Sequence, residues 1–269
     1  MVLRGWYDGE KTLADTPSLN LTSKNISLIE PSTFQDLNEL REITMSSNKL
    51  KEIDSNVFKH LTRLQRLDLD HNEFVSLKEN QFDDLVQLQG LDLSFNCIES
   101  LNPQLFASLK ELLVLGLDHN SLVGLGANHL GELRMLRALF LQNNKLSTLA
   151  ENSFKSLHLL VYLYLNENEL ARLHENQFRN LIKLQELFLS NNRLTRLDEA
   201  GLFADLSELQ KLTLSQNSLF GLNEALFSRL ERLEVLHLQQ NSLSFLPERL
   251  FHNLTNLKVR SILGRILSK

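Results

Sequence analysis

A leucine returns every 24 residues from position 40 onward, and nothing else in the chain limits its fold as tightly. The register runs Leu40, Leu64, Leu88, Leu112, Leu136, Leu160, Leu184, Leu209 and Leu233, with one step of 25 between Leu184 and Leu209. Each unit reads L-x-x-L-x-L-x-x-N-x-L, then an apolar residue, then F-x-x-L; "LQRLDLDHNEFVSLKENQFDDL" and "LQKLTLSQNSLFGLNEALFSRL" are two copies. Alternating leucines such as Leu67 and Leu69 have period two, so each unit holds a short strand. One such strand cannot bury its own apolar face. Stacked copies can, as a parallel sheet over one continuous core. The asparagines and the L-x-L segments break any heptad, which argues against a coiled coil.

Asparagine follows each strand at a fixed offset: Asn48, Asn72, Asn96, Asn120, Asn144, Asn168, Asn192, Asn217 and Asn241. An amide both donates and accepts, so a buried ladder of amides can satisfy the turning backbone of every coil. Phenylalanine returns on the far side at Phe58, Phe82, Phe106, Phe154, Phe178, Phe203, Phe227 and Phe251, with Leu130 once in its place. These rings are expected to form a spine. The extra residue in "LDEAGLFADL" is expected to make a small convex bulge, where loops tolerate insertion.

This pattern resembles the leucine-rich repeat family in its 24-residue form. The likeness is good from Leu40 to Asn256 and extends weakly back to about Thr16. It implies an α/β leucine-rich repeat solenoid, a horseshoe with a parallel β-sheet on its concave face and mostly loops and short turns on its convex face. The expected organisation is residues 1–39 as an N-terminal segment and degenerate first repeat, 40–256 as nine repeats, and 257–269 as a C-terminal capping segment. Members with a phenylalanine spine include Toll-type receptor ectodomains, small proteoglycans and secreted immune proteins of animals. The family implies recognition of a protein ligand through the concave face.

Both ends need covering, because terminal coils expose apolar faces. In "TPSLNLTSKNISLIEPSTFQDLNE", Leu19, Leu21, Ile26, Phe34 and Leu37 fit a first coil, but Lys24 holds the asparagine slot. Trp6 and Tyr7 are expected to fold over its open edge. At the other end Arg260 stands where the pattern asks for leucine. Val259, Ile262, Leu263, Ile266 and Leu267 have helix-like spacing, which favours a short amphipathic capping helix. A divergent tail is the alternative, and a basic membrane-surface helix is disfavoured by Gly264 and the short length.

The residue between the two core leucines of each strand faces the concave surface. Repeat by repeat it reads Thr44, Asp68, Asp92, Gly116, Phe140, Tyr164, Phe188, Thr213 and His237. With strands about 4.8 Å apart, Phe140, Tyr164 and Phe188 should form a column of rings with Tyr162 beside it. Mutual shielding of the rings would account for this. So would an anchor for a partner, which is the preferred reading. Asp68, Asp70, Asp92 and Asp118, with His71 and His119, make the earlier part of the surface acidic, so a basic segment of a partner would be steered there. Clustered carboxylates allow calcium in principle, but a solvated face is the simpler account. His71 and His119 are two strands apart, about 10 Å, too far for one zinc ion to bridge. No metal and no cofactor are expected.

The chain's 269 residues carry a net charge of −5, without the basic stripe that nucleic acid demands. No apolar run is long enough to span a bilayer, and the first residues lack the apolar region of a signal peptide. G-x-S-x-G, H-E-x-x-H, the phosphate-binding glycine loop and C-x-x-C are all missing, and the histidines are scattered, so an enzyme is not expected. Cys97 is the single cysteine, which rules out an internal disulfide, and it has no basic neighbour to activate it. Sequons at Asn20, Asn25 and Asn253 point to an extracellular or secreted glycoprotein. The missing cysteine caps and signal point instead to a cytoplasmic adaptor scaffold. A structural adhesion or matrix protein is a further alternative.

Overall fold

In a computed structural model, residues 2–3 and 16–261 are described. The chain divides into two compact units, residues 1–122 with 128–136, and residues 123–127 with 137–269. Each is a stack of coils built from three-residue strands and turns, and no helix occurs among the described residues.

In the first unit the parallel strands Ser18–Asn20, Glu42–Thr44, Arg66–Asp68, Gly90–Asp92 and Val114–Gly116 pair in sequence order. The register is the repeat register, so Ile43, Leu67, Leu91 and Leu115 lie opposite one another and are buried. In the second, Ala138–Phe140, Tyr162–Tyr164, Glu186–Phe188, Lys211–Thr213, Val235–His237 and Val259–Ser261 pair likewise. Two-residue strands line the opposite side of this unit, Gly124–Leu125 with Thr148–Leu149 and Arg196–Leu197 with Gly221–Leu222. The leucine pattern gives no hint of them.

The asparagine ladder holds the coils together. Asn72 Oδ1 accepts the N–H of Leu50 at 3.1 Å, while its Nδ2 donates to Met45 O at 3.0 Å and Leu69 O at 3.1 Å. Asn168 repeats the arrangement with Leu146 N, Leu141 O and Leu165 O. Each amide therefore serves the coil before its own. That explains Lys24: Asn48 already accepts the N–H groups of Lys24 and Ile26 and donates to Leu21 O. Leu21, Ile26 and Phe34 are buried, so the first coil is genuine, with Leu19 and Leu37 only partly covered.

The phenylalanines stack on the far side. In the second unit the run from Phe154 through Phe178, Phe203 and Phe227 to Phe251 has centroid spacings of 5.9–6.4 Å. The extra residue is absorbed within exposed Asp198, Glu199 and Ala200, so Phe203 keeps its place. Exposed ion pairs also recur one coil apart, Glu39 with Arg63 and Glu42 with Arg66 in one unit, and Glu169 with Arg193 and Glu208 with Arg232 in the other. Being solvated, each adds about 0–1 kcal/mol.

The helix expected from Val259 does not form at its start. Val259–Ser261 is a strand: Val259 donates its N–H to Glu234 O, and Ser261 O accepts from Leu238 N. Continuing a ready-made ladder satisfies the backbone at once, whereas a short helix must first be nucleated at a cost. Residues 262–269 lie outside the described residues, as do Trp6 and Tyr7.

Candidate interaction surface

The second unit brings the expected rings together. Phe140, Tyr164 and Phe188 are in register on adjacent strands, with centroids 5.0 Å apart for the first pair and 4.4 Å for the second. Lys211 Nζ sits 4.6 Å from the centre of the Phe188 ring and covers its face. Tyr162 lies beside the column and is 38% exposed; the three stacked rings are half-buried. Leu163 and Leu187 of the same strands are fully buried, so the rings lie outside the core. Partial burial, then the carboxylate of Glu186 and the neighbouring Tyr162, push the Tyr164 phenol up, which keeps it a neutral O–H donor at physiological pH. Polar acceptors surround the rings. Gln142 Oε1, Asn166 Oδ1 and the hydroxyl of buried Thr213 make no hydrogen bond. Gln142 and Asn166 each lie two residues past Phe140 and Tyr164, an offset that the sequence reading overlooked, whereas Thr213 holds the strand position beside Phe188.

In the first unit the acidic residues also assemble, but they have local duties. Asp68 Oδ1 accepts the N–H of Asp70 at 3.2 Å, and Asp92 Oδ1 that of Ser94 at 2.9 Å. Gly116 leaves the room that Asp92 uses: a Cβ there would stand 2.7 Å from Asp92 Oδ1. Burial, then the hydrogen bond with Asp70, push the Asp68 carboxyl up to about 6. Burial also opposes ionisation of Asp70, but hydrogen bonds from Ser46, Asp68 and His71 outweigh it and hold that carboxyl below the usual range. As pH falls through about 6 the pair therefore takes up its first proton on Asp68.

The gap between His71 and His119 is filled by Phe95. Ring centroids are 4.2 Å apart for His71–Phe95 and 4.0 Å for Phe95–His119, both nearly parallel at 11°. Asp70 Oδ2 lies 2.5 Å from His71 Nδ1, and Asp118 Oδ2 lies 2.9 Å from His119 Nδ1. The sequence reading missed Phe95, yet its position is 24 residues from each histidine. All three have left-handed backbone, with φ of 49°, 51° and 51°. For a side chain as bulky as phenylalanine that costs about 1–2 kcal/mol. Among the described residues no group of three or more His, Cys, Asp or Glu side chains is placed to hold a metal ion.

Asn20, Asn25 and Asn253 are all exposed. Asn20 Oδ1 caps the N–H of Thr22, and Asn253 Nδ2 donates to Ser228 O. Leu130 itself is buried, and a cavity of about 180 Å³ lies nearby, lined by Phe106, Gly131 and half-buried His129 among others.

Leucine rich repeats are recognised at residues 17–74, 62–122, 111–170, 134–194, 162–219 and 207–259, nearly the whole described length. The chain is a leucine-rich repeat protein. As such it is similar to TLR13, solved as a complex with ssRNA13, at 26% identity and a TM-score of 0.68. That match covers 89% of this leucine-rich repeat protein and 42% of the TLR13 chain. A leucine-rich repeat protein of Leptospira interrogans is 28% identical over 88% of this chain and 65% of its own, with a TM-score of 0.64. The complex of Latrophilin 3, Unc5D and the FLRT2 repeats shares the fold, with a TM-score of 0.81, 23% identity, and 92% and 75% coverage. No curated protein matches the sequence. No helix among the described residues is long and apolar enough to cross a membrane.

Proposed function

We propose that this leucine-rich repeat protein is a recognition module that binds a polypeptide on the open face of its sheet. Phe140, Tyr162, Tyr164 and Phe188 act as the anchor, and the face with Asp68, Asp70, Asp92 and Asp118 steers. The observation that carries this is the aromatic column itself: core leucines hold the strands, so the rings are not needed for the fold. Exposed Tyr162 and the half-buried rings beside it offer a partner an aromatic contact of the hot-spot kind. The Toll–Spatzle structure of Drosophila and the FLRT2 complex are protein assemblies on this fold, and the TLR13 structure holds ssRNA. Charge favours a polypeptide here. The first unit has 12 Lys and Arg against 20 Asp and Glu, net −8, and the second 16 against 13, net +3.

The exposed sequons support an extracellular or secreted glycoprotein over a cytoplasmic adaptor. Expression in a secretory host with intact-mass analysis tests that: unmodified asparagines would favour the cytoplasmic reading. For binding, immobilised wild type and a Tyr164→Ala/Phe188→Ala variant are compared for proteins captured from source extract. Specific captures should be lost with the double variant and kept by a Lys155→Ala/His158→Ala variant on the turns. Equal capture by all three would place binding elsewhere.

A further inference from the structure

His71, Phe95 and His119 each precede a ladder asparagine in three successive coils, and their rings form one stack. Both faces of Phe95 are covered, so the row presents its edges to solvent. A carboxylate on each Nδ1 fixes the N–H there and leaves Nε2 as an acceptor while the ring is neutral. Asp68, Asp70, Asp92 and Asp118 run along the same face. Arg66, the one basic residue on the strands from Glu42–Thr44 to Val114–Gly116, is paired with Glu42 at 3.7 Å. The face therefore lacks a cation of its own for its carboxylates, and charge complementarity selects what covers it.

We propose that the carboxylate–imidazole–phenyl–imidazole–carboxylate row docks a cationic polypeptide segment at neutral pH and releases it on acidification. The inference rests on the sheet face being a recognition surface, and it adds the partner's chemistry and a control. Protonating the two imidazoles takes the row of four aspartates and two histidines from −4 to −2 and removes both Nε2 acceptors. Asp68, whose carboxyl is pushed up to about 6, also takes up a proton on acidification. The ionisable side chains that directly follow the ladder asparagines here are Glu73, which meets Lys51 at 3.7 Å, and Cys97, with Lys49 on the preceding coil. None of them opposes the change.

The test uses a labelled (Arg-Gly)5 peptide and the full chain at low salt. From about pH 7.5 to about pH 5.5, wild-type affinity should fall about tenfold. Asp92→Asn/Asp118→Asn should bind about tenfold more weakly at the higher pH. Asp83→Asn/Asp84→Asn, exposed on a turn, should bind as wild type does. His71→Asn/His119→Asn should lose less than about threefold on acidification. Asparagine suits the left-handed backbone and stands in that place at Asn143 and Asn191. Should the pair fail to fold, His119→Asn alone should show a reduced acid loss. Undiminished binding by Asp92→Asn/Asp118→Asn, equal loss in the turn variant, or an unaltered acid loss in the histidine variants overturns the proposal. Tyr164→Ala/Phe188→Ala should leave peptide binding intact. Peptide failure with aromatic-dependent capture preserved sinks this proposal alone; lost capture dependence with peptide binding preserved sinks the other alone.

Discussion

The two units share a skeleton and differ in what they show. In the first, the strand position between the buried leucines carries Asp68, Asp92 and Gly116; in the second it carries Phe140, Tyr164 and Phe188. Both units also stack three rings, but at different offsets. The second stacks them on the strands with a lysine at one end, and the first stacks them just past the strands with carboxylates behind. Frame and surface are therefore separable in this fold. Buried leucine and asparagine set the coil, and the positions between them are free to carry the chemistry.

The largest effect on stability should come from striking the shared frame. Asn72→Ala and Asn168→Ala each strand a backbone N–H and several carbonyls, and each should cost about 1–3 kcal/mol. Thermal or urea unfolding measures it. Unequal losses would mean that the frames differ after all.

Next comes the surface. Tyr164→Ala/Phe188→Ala should weaken partner binding by about 2 kcal/mol or more per ring. Its stability cost should stay near the 0.5–1.5 kcal/mol that ring stacking supplies. Parallel melting and binding curves separate the two, and a collapse in stability would make the column structural.

Leu130→Phe tests the one break in the spine. Restoring a ring at this place in the spine should stabilise by about 1 kcal/mol through aromatic stacking. A lower melting temperature would show that the turn around Gly131 cannot admit a ring.

The smallest effect concerns Asp68, and its sign is definite. Its folded carboxyl titrates at about 6, above the ordinary 3.8. The folded state therefore holds a proton that the unfolded chain releases, and stability falls as pH rises from about 4 to about 6. Asp68→Asn keeps an oxygen to cap Asp70 and should be the more stable form at about pH 7, with the advantage fading towards about pH 4. Denaturation curves at both ends of that window check it. Asp70, held low, contributes in the opposite sense and only in stronger acid.

Most of the frame was legible because its causes are local and periodic. Leucine alternation fixed the strands, and a constant offset fixed the ladder. The column through Tyr164 followed from strand direction alone. What escaped depended on side-chain reach or on backbone competition. Phe95 went unnoticed, and its left-handed backbone, with φ of 51°, sets its ring between two imidazoles. Asp68 and Asp92 read as free charge, whereas each spends an oxygen on the backbone. At Val259 helical spacing lost to a ladder already waiting for a strand. That outcome depends on the neighbouring coil rather than on the segment.

Because ladder asparagines such as Asn168 and Asn192 bind back to the coil before them, such a coil carries its own connector and needs only a matching predecessor. Interior coils are thus interchangeable cassettes. A segment of 24 residues copied from Leu160 to Lys183 and spliced in after itself would extend the aromatic row by one rung with every connector intact. A 23-residue copy would throw the next asparagine out of reach. The tolerated surplus near Asp198 shows where such slack is admissible: on the exposed turn, never between a leucine and its asparagine.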